Sequence, residues 1–119
     1  MKKGADVFRE LKEKYRETLL AETDSKYLDD WFGLRLSDNL SISASFFDDW
    51  VVVSICQDNP KKIDEADGLK AALQEILGRP PYCCYKSIIS EDETAYIFIE
   101  KNHSEHFEYF SKMHGAVLC

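Results

Sequence analysis

A strict alternation of apolar and small polar residues runs through Leu40–Phe46, in the segment LSISASF. A period of two is typical of a β-strand with one buried face. Residues 50–56 are rich in β-branched side chains, which favour strands. Asp48-Asp49 lies between the two segments, and short acidic turns occur at hairpin tips. The sequence therefore predicts an antiparallel hairpin over residues 40–56.

Folding the chain at this tip sorts the side chains by polarity. The pairs expected on one face are apolar throughout: Phe46 with Val51, Ala44 with Val53, and Ile42 with Ile55. The opposite face is expected to carry mostly serine. Because a slip of one residue would mix the two sets, the pattern specifies the register of the hairpin.

A third strand is predicted upstream, over residues 31–36, which also alternate. It is followed by a turn at Ser37-Asp38-Asn39. Folding there brings three more apolar side chains onto the same face: Phe32, Leu34 and Leu36. Agreement across two turns supports a common core face for the three strands.

Two helices flank these strands in the prediction. An apolar stripe with three- and four-residue spacing predicts the first over residues 5–23, and a polar connector follows over 24–30. The second is predicted over 64–77, after a loop at 57–62. Acidic residues crowd its first turn, where the helix dipole favours them, and Gly78 is expected to end it.

The C-terminal part of the chain predicts a second hairpin and a last helix. Its strands are expected over residues 82–89 and 94–100, with more than one possible register. The helix is expected over 102–114 and ends at Gly115. An apolar tail over 116–119 completes the chain.

The elements follow in the order α-β-β-β-α-β-β-α. This order predicts a single acidic α+β domain over residues 1–119, with a mainly antiparallel five-stranded sheet and helices packed on one face. In element order, size and acidity the chain resembles the class I type III secretion chaperones and related small regulatory domains. That resemblance implies an adaptor that binds an extended client segment as a homodimer.

Charge is distributed unevenly along the 119 residues, whose net charge is −7. Residues 1–26 hold seven of the 15 basic and six of the 22 acidic residues, which leaves eight basic and 16 acidic residues for 27–119. Direct nucleic-acid binding requires the opposite sign. An acidic body favours a basic protein partner instead, or simply keeps the protein in solution.

The sequence predicts a cytoplasmic protein with no membrane contact. It contains no apolar run near the ~18 residues of a membrane span, and no apolar signal-peptide region follows the first residues. The four cysteines include the neighbours Cys83-Cys84 and the terminal Cys119. This spacing is unlike a disulfide framework and favours a reducing compartment.

Two motifs could carry chemistry. His103 and His106, with a cysteine, could bind zinc, although solvated histidines at a helix start explain the spacing as well. Cys83 or Cys84 could act as a nucleophile, although strand cysteines also pack as small apolar groups. We expect no catalytic residue, no metal and no cofactor.

The most informative feature is the expected placement of acidic residues. If the helix over 64–77 carries the chain back past the sheet, the strand from Tyr82 runs parallel to the strand that ends near Cys56. Acidic residues from separate segments then converge at one end of the sheet. We call this set the acidic rim: Asp38, Asp58, Asp64, Glu65, Glu91, Asp92 and Glu93.

A second candidate surface is the serine-bearing face of the sheet. Trp31, Phe47 and Trp50 are expected there among small polar residues. Aromatic residues are enriched at protein interfaces. The alternative is that another element of the same chain covers them.

The sequence leads to a ranking of functions. The first is a non-enzymatic inhibitor or immunity-type protein that neutralises a basic nucleic-acid-processing partner, such as a nuclease toxin or a defence effector. The second is the secretion-chaperone-like adaptor, which a stable homodimer in solution would favour. The third is a small cysteine-dependent enzyme.

Overall fold

The computed structural model describes residues 2–24, 31–47, 50–86, 92–99, 108, 111–112, 115 and 117–118. Within these residues, two helices and seven strands have assigned bounds. In chain order they are α1 (Gly4–Lys14), β1 (Ala21–Asp24), β2 (Trp31–Arg35), β3 (Leu40–Phe46), β4 (Trp50–Gln57), α2 (Ile63–Leu77), β5 (Cys83–Lys86), β6 (Glu93–Ile99) and β7 (Val117–Leu118).

The strands form a single sheet in the order β1-β2-β3-β4-β6-β5-β7. Each described pairing between neighbours is antiparallel. Helices and an antiparallel sheet in one chain confirm the predicted α+β class. The predicted count of five strands was too low, because two short edge strands were not foreseen.

The predicted register of the central strands is confirmed. In the β3–β4 hairpin, Phe46 lies opposite Val51 and Ala44 opposite Val53. Between β2 and β3, Leu34 lies opposite Ile42. All of these apolar residues are buried, so they form one continuous inner face of the sheet.

Both described helices pack on this inner face and close the main core. Helix α1 contributes Val7 and Leu11, and α2 contributes Leu69 and Leu73. All four side chains are fully buried. The apolar side of each helix therefore faces the sheet, as an amphipathic helix requires.

Helix α1 is shorter than the predicted segment 5–23. It ends at Lys14, turns occupy 15–18, and Ala21–Asp24 forms the edge strand β1. Strand β1 pairs with β2 and so covers backbone groups that β2 would otherwise expose. The apolar pattern in the sequence extends to Leu19, beyond the end of the helix, because the turn still packs Tyr15 and Leu19 against the core.

The C-terminal tail contains a strand that its sequence did not indicate. Val117–Leu118 forms β7, which pairs with β5. Of the predicted helix over 102–114, Glu108, Ser111 and Lys112 are described and helical, and the other positions lie outside the described residues. Gly115 has a φ of 65° and its N–H donates to the carbonyl of Ser111, 3.1 Å away, as expected at a helix end.

Helix α2 matches its prediction closely, and it connects two strands, β4 and β5, that run in the same direction. It ends at Gly78, which has a φ of 74°. Strands β4 and β5 both pair antiparallel with β6, which lies between them. They therefore run in the same direction, as the predicted crossover requires.

The two helical glycines Gly4 and Gly68 predict stability changes of opposite sign. A Cβ at Gly4 would lie 2.9 Å from the ring of Phe46, whereas one at Gly68 would have no neighbour within 4 Å. We expect Gly4→Ala to destabilise the protein by about 1–2 kcal/mol through overpacking. We expect Gly68→Ala to stabilise it by about 0.5–1 kcal/mol through helix propensity. Urea denaturation of the two variants measures both, and effects of the same sign would contradict this packing.

Candidate functional site

The acidic rim is brought together by hydrogen bonds between three chain segments. The N–H of Asp58 donates to the carbonyl of Asn39 at 2.9 Å, and the N–H of Gln57 donates to that of Asp92 at 3.0 Å. The β2–β3 turn, the β4–α2 loop and the start of β6 thus lie side by side. Six of the seven predicted residues lie at this end of the sheet: Asp38, Asp58, Asp64, Glu65, Asp92 and Glu93. Glu91 lies outside the described residues.

Asn39 is the buried polar residue that joins these segments. Only 5% of it is exposed. Its Nδ2 donates to Oε2 of Glu65 at 2.8 Å, and its Oδ1 accepts from the N–H of Asn59. One side chain therefore ties the β2–β3 turn to the loop after β4 and to the first turn of α2. Its satisfied hydrogen bonds explain how a polar group can be buried there.

The turn that presents Asn39 is itself fixed by a serine. The Oγ of Ser37 accepts hydrogen bonds from the N–H of Asn39 and of Leu40, at 3.3 and 3.2 Å. This local bonding is typical of serine in turns. The sequence pattern indicated only a turn at residues 37–39, because the partners of Asn39 lie twenty or more positions away along the chain.

Arg35 adds a cation to the acidic rim. Both of its terminal nitrogens bond the carboxylate of Asp58, and one also donates to the carbonyl of Asp38. The side chain of Arg35 is 29% exposed and that of Asp58 is 60% exposed. This hydrogen bond and charge lower the pKa of the Asp58 carboxyl and raise that of Arg35. Asp58 is thus held by an internal partner that the sequence pattern did not reveal.

The remaining carboxylates of the acidic rim differ in exposure. Asp38, Asp64 and Asp92 are exposed, whereas Glu93 is half-buried beside Cys56 on the neighbouring strand. Glu65 is half-buried and bonded to Asn39. The surface therefore combines exposed charges with two carboxylates, those of Asp58 and Glu65, whose positions are fixed by hydrogen bonds.

A groove opens beside the acidic rim, between the end of α1 and the start of α2. Its volume is about 630 Å³. Leu36 and Leu40 lie at its base, and Asp64 and Glu65 belong to both the groove and the acidic rim. Tyr15 also lines the groove, and burial raises the pKa of its hydroxyl, which keeps the phenol neutral.

The outer face of the sheet, opposite the helices, has two different halves. On β6, Ala95, Ile97 and Ile99 are buried. Around β3, the residues Trp31, Ser43 and others are half-buried, and Phe47 is 49% exposed. The predicted aromatic residues thus lie on this face. Among the described residues, its β2–β3–β4 part is more open than β6.

Phe47, which follows β3, and Trp50, which begins β4, form an aromatic pair on the outer face. Their rings stack with centroids 4.2 Å apart and an interplanar angle of 12°. The backbone N–H of Phe47 also donates to the carbonyl of Trp50 at 2.8 Å. Trp31 lies on the same face two strands away, and its ring passes within 3.5 Å of the position that a Cβ on Gly33 would take.

Cys56 lies in surroundings that oppose activation of its thiol. Burial raises the pKa of the Cys56 thiol, and the carboxylate of Glu93 acts in the same direction. A nucleophilic cysteine requires the opposite shift. Cys84 is a half-buried free thiol. The side chain of Cys83 is not described and His103 and His106 lie outside the described residues. The roles considered for Cys83, Cys84 and the two histidines stay predictions.

Within the described part of the chain, no group of three or more histidine, cysteine or acidic side chains is arranged to hold a metal ion. The same residues include no helix with the length and apolar character needed to cross a membrane.

Comparison with known proteins returned no relative. No protein-family model matches the chain, and no curated protein or solved structure is significantly similar to it. The resemblance to secretion chaperones in element order therefore stays a prediction. The function has to be argued from the geometry of this chain.

The bond between Asn39 and Glu65 can be tested by exchanging the two groups. Asn39→Asp places a carboxylate against that of Glu65, and we expect it to destabilise the protein by about 1–3 kcal/mol at neutral pH. Adding Glu65→Gln supplies an amide donor to the new aspartate and should restore most of the loss. Urea denaturation of the four proteins in this double-mutant cycle gives the coupling energy. A coupling energy near zero would show that the bond does not hold the segments together.

The bond between Arg35 and Asp58 predicts a pH dependence. Because the folded pKa of Asp58 lies below its ordinary value of 3.8, the interaction stabilises the protein above that pH. The contribution is lost as the pH falls through the lowered pKa. We expect Asp58→Asn and Arg35→Gln to reduce the loss of stability below pH 3.8 to the same extent. Denaturation curves across this range measure it, and an unchanged acid slope in both variants would contradict the pairing.

Proposed function

We propose that this chain is a non-enzymatic acidic protein-binding module. Its partner is a basic protein that processes nucleic acid, such as a nuclease toxin or a defence effector. The module acts as an inhibitor or immunity-type protein by occupying the partner's active or nucleic-acid-binding surface. It works in the cytoplasm without a cofactor.

The observation that supports this proposal is the convergence of acidic side chains from separate chain segments. Asp38, Asp64 and Asp92 are exposed at the same end of the sheet. The bonds of Asn39 and of the neighbouring backbone fix the segments that carry them. A fixed array of carboxylates loses less conformational freedom on binding than flexible loops would.

The physical basis is charge complementarity. Carboxylates spaced over one surface can take the positions of phosphates on a cationic protein, and they steer its approach through the solvent. The affinity of such a complex falls as salt screens the charges. The net charge of −7 has the sign that this mechanism needs.

The homodimeric adaptor is the second candidate. It is supported by the exposed aromatic stack of Phe47 on Trp50, because aromatic side chains often dominate interfaces. Strand β1 also lies at an edge of the sheet, where an extended client segment could add a strand. Self-association in analytical ultracentrifugation separates this candidate from the first.

Charge reversal at two points of α2 tests the leading proposal. The partner is first recovered on the tagged chain from its native cells, and it should be a basic nucleic-acid-processing protein whose activity the chain inhibits. Asp64→Lys should then slow association by about three- to tenfold at low salt, because it reverses a charge of the acidic rim. Stopped-flow or surface-based kinetics at several salt concentrations give the rate.

The matched control is Glu75→Lys. Glu75 is exposed on the same helix, about 16 Å along the axis from Asp64, and its reversal changes the net charge equally. Asp92→Lys, on a different segment of the acidic rim, should behave like Asp64→Lys. If the three variants associate at the same rate, general acidity and not the acidic rim steers the partner. An acidic partner would overturn the proposal itself.

A further inference from the structure

The groove between α1 and α2 has an apolar base and a charged margin. Leu36 and Leu40 are buried at its base. Tyr15 is half-buried and packs against the main core. This combination suits a long side chain that has an aliphatic stem and a charged head, since such a stem can lie along apolar surface while the head stays in water.

The charges at the margin favour a cation. Four carboxylates line the groove, on Glu13, Glu17, Asp64 and Glu65, against the two cations Lys14 and Arg16. Arg16 already lies 3.2 Å from Glu13, and both side chains are at least 70% exposed. A guanidinium therefore fits this margin. Because an exposed pair of this kind contributes little to stability, an incoming arginine can replace it.

Gly68 keeps the groove open from the side of α2. It lies inside the helix, where glycine is less favourable than alanine by about 0.5–1 kcal/mol. Nothing lies within 4 Å of the position that a Cβ would take, so no internal contact requires glycine there. A larger side chain would instead project into the groove, which Gly68 lines.

We propose that this groove binds an arginine-bearing segment of the basic partner. The aliphatic part of the arginine lies along Tyr15, above the buried Leu36 and Leu40. Its guanidinium lies among the carboxylates of the margin, where it replaces Arg16 beside Glu13. Planar guanidinium groups bind carboxylates in two-point geometry. The inference rests on the proposed function, since it gives that function a docking site next to the acidic rim.

The test uses the full chain and a defined probe, an acetylated peptide of alternating leucine and arginine. Binding is followed by amide NMR spectra and by fluorescence anisotropy. We expect the peptide to shift the amide signals of Tyr15, Leu40 and Gly68, and its affinity to fall with salt. A peptide of alternating leucine and glutamate should not bind.

Substitutions at Gly68 separate blocking of the groove from loss of fold. Gly68→Leu should weaken peptide binding by about tenfold or more, because its side chain fills the groove. Gly68→Ala should stay within about twofold of the natural chain. The control Ala71→Leu places the same leucine side chain at an exposed position of α2 that does not line the groove, and it should bind normally.

Arg16→Gln gives a test of opposite direction. It removes a competing cation at the cost of a surface ion pair alone, so the peptide should bind more tightly, by about two- to threefold. Three results would each overturn the proposal that the groove binds arginine. They are weaker binding by this variant, unchanged binding by Gly68→Leu, and amide shifts confined to the outer face. If the peptide does not bind but the basic partner does, the groove is wrong and the proposed function stands. If no basic partner exists, the function falls whatever the peptide does.

Discussion

The rest of the structure depends on the burial of a single face of strands β2, β3 and β4. Along each strand, buried apolar residues that face the helices alternate with half-buried residues that face away, among them the serines of β3 and the tryptophans of β2 and β4. Each large apolar side chain on the inner face contributes about 1.5–3 kcal/mol by leaving water. A slip of one position would put the serines of β3 into the core. The register is therefore enforced by many side chains together, and both helices pack on the face that it creates.

That register also decides what lies at the end of the sheet. Once Leu40 lies opposite Gln57, the turn before β3 must meet the loop after β4. Asn39 fills this junction and bonds both the loop and the first turn of α2. A buried amide is tolerated there because its donor and its acceptor are both satisfied. The acidic side chains nearby are thus held on a packed framework.

At this end of the sheet, some charged groups stabilise the fold and others stay exposed for the proposed binding. Arg35 neutralises Asp58 internally, and the dipole of α2 stabilises Asp64 and Glu65 in its first turn. These interactions offset part of the repulsion that converging carboxylates create. The carboxylates that remain exposed, on Asp38 and Asp64, face solvent next to an apolar groove. Acidity and an apolar base at one place are what the proposed binding of a cationic partner requires.

The chain's local pattern determined the β2–β3–β4 register and the end of α2 at Gly78. Both depend on neighbours in sequence: alternation specifies which face is buried, and only glycine readily takes the positive φ of that helix end. The convergence of the acidic rim was also predictable, because a helical crossover carries β4 and β5 in the same direction.

Only the tertiary structure decided which segments form the edge strands and which distant side chains bond each other. Two edge segments become strands because β2 and β5 offer them unpaired backbone groups: Ala21–Asp24 and Val117–Leu118. Neither segment has a strand pattern of its own. Arg35 meets Asp58 across 23 positions and Asn39 meets Glu65 across 26. Such pairs depend on how distant segments pack. A periodic pattern predicts which face of an element is buried, but it does not predict which distant side chain an individual residue bonds.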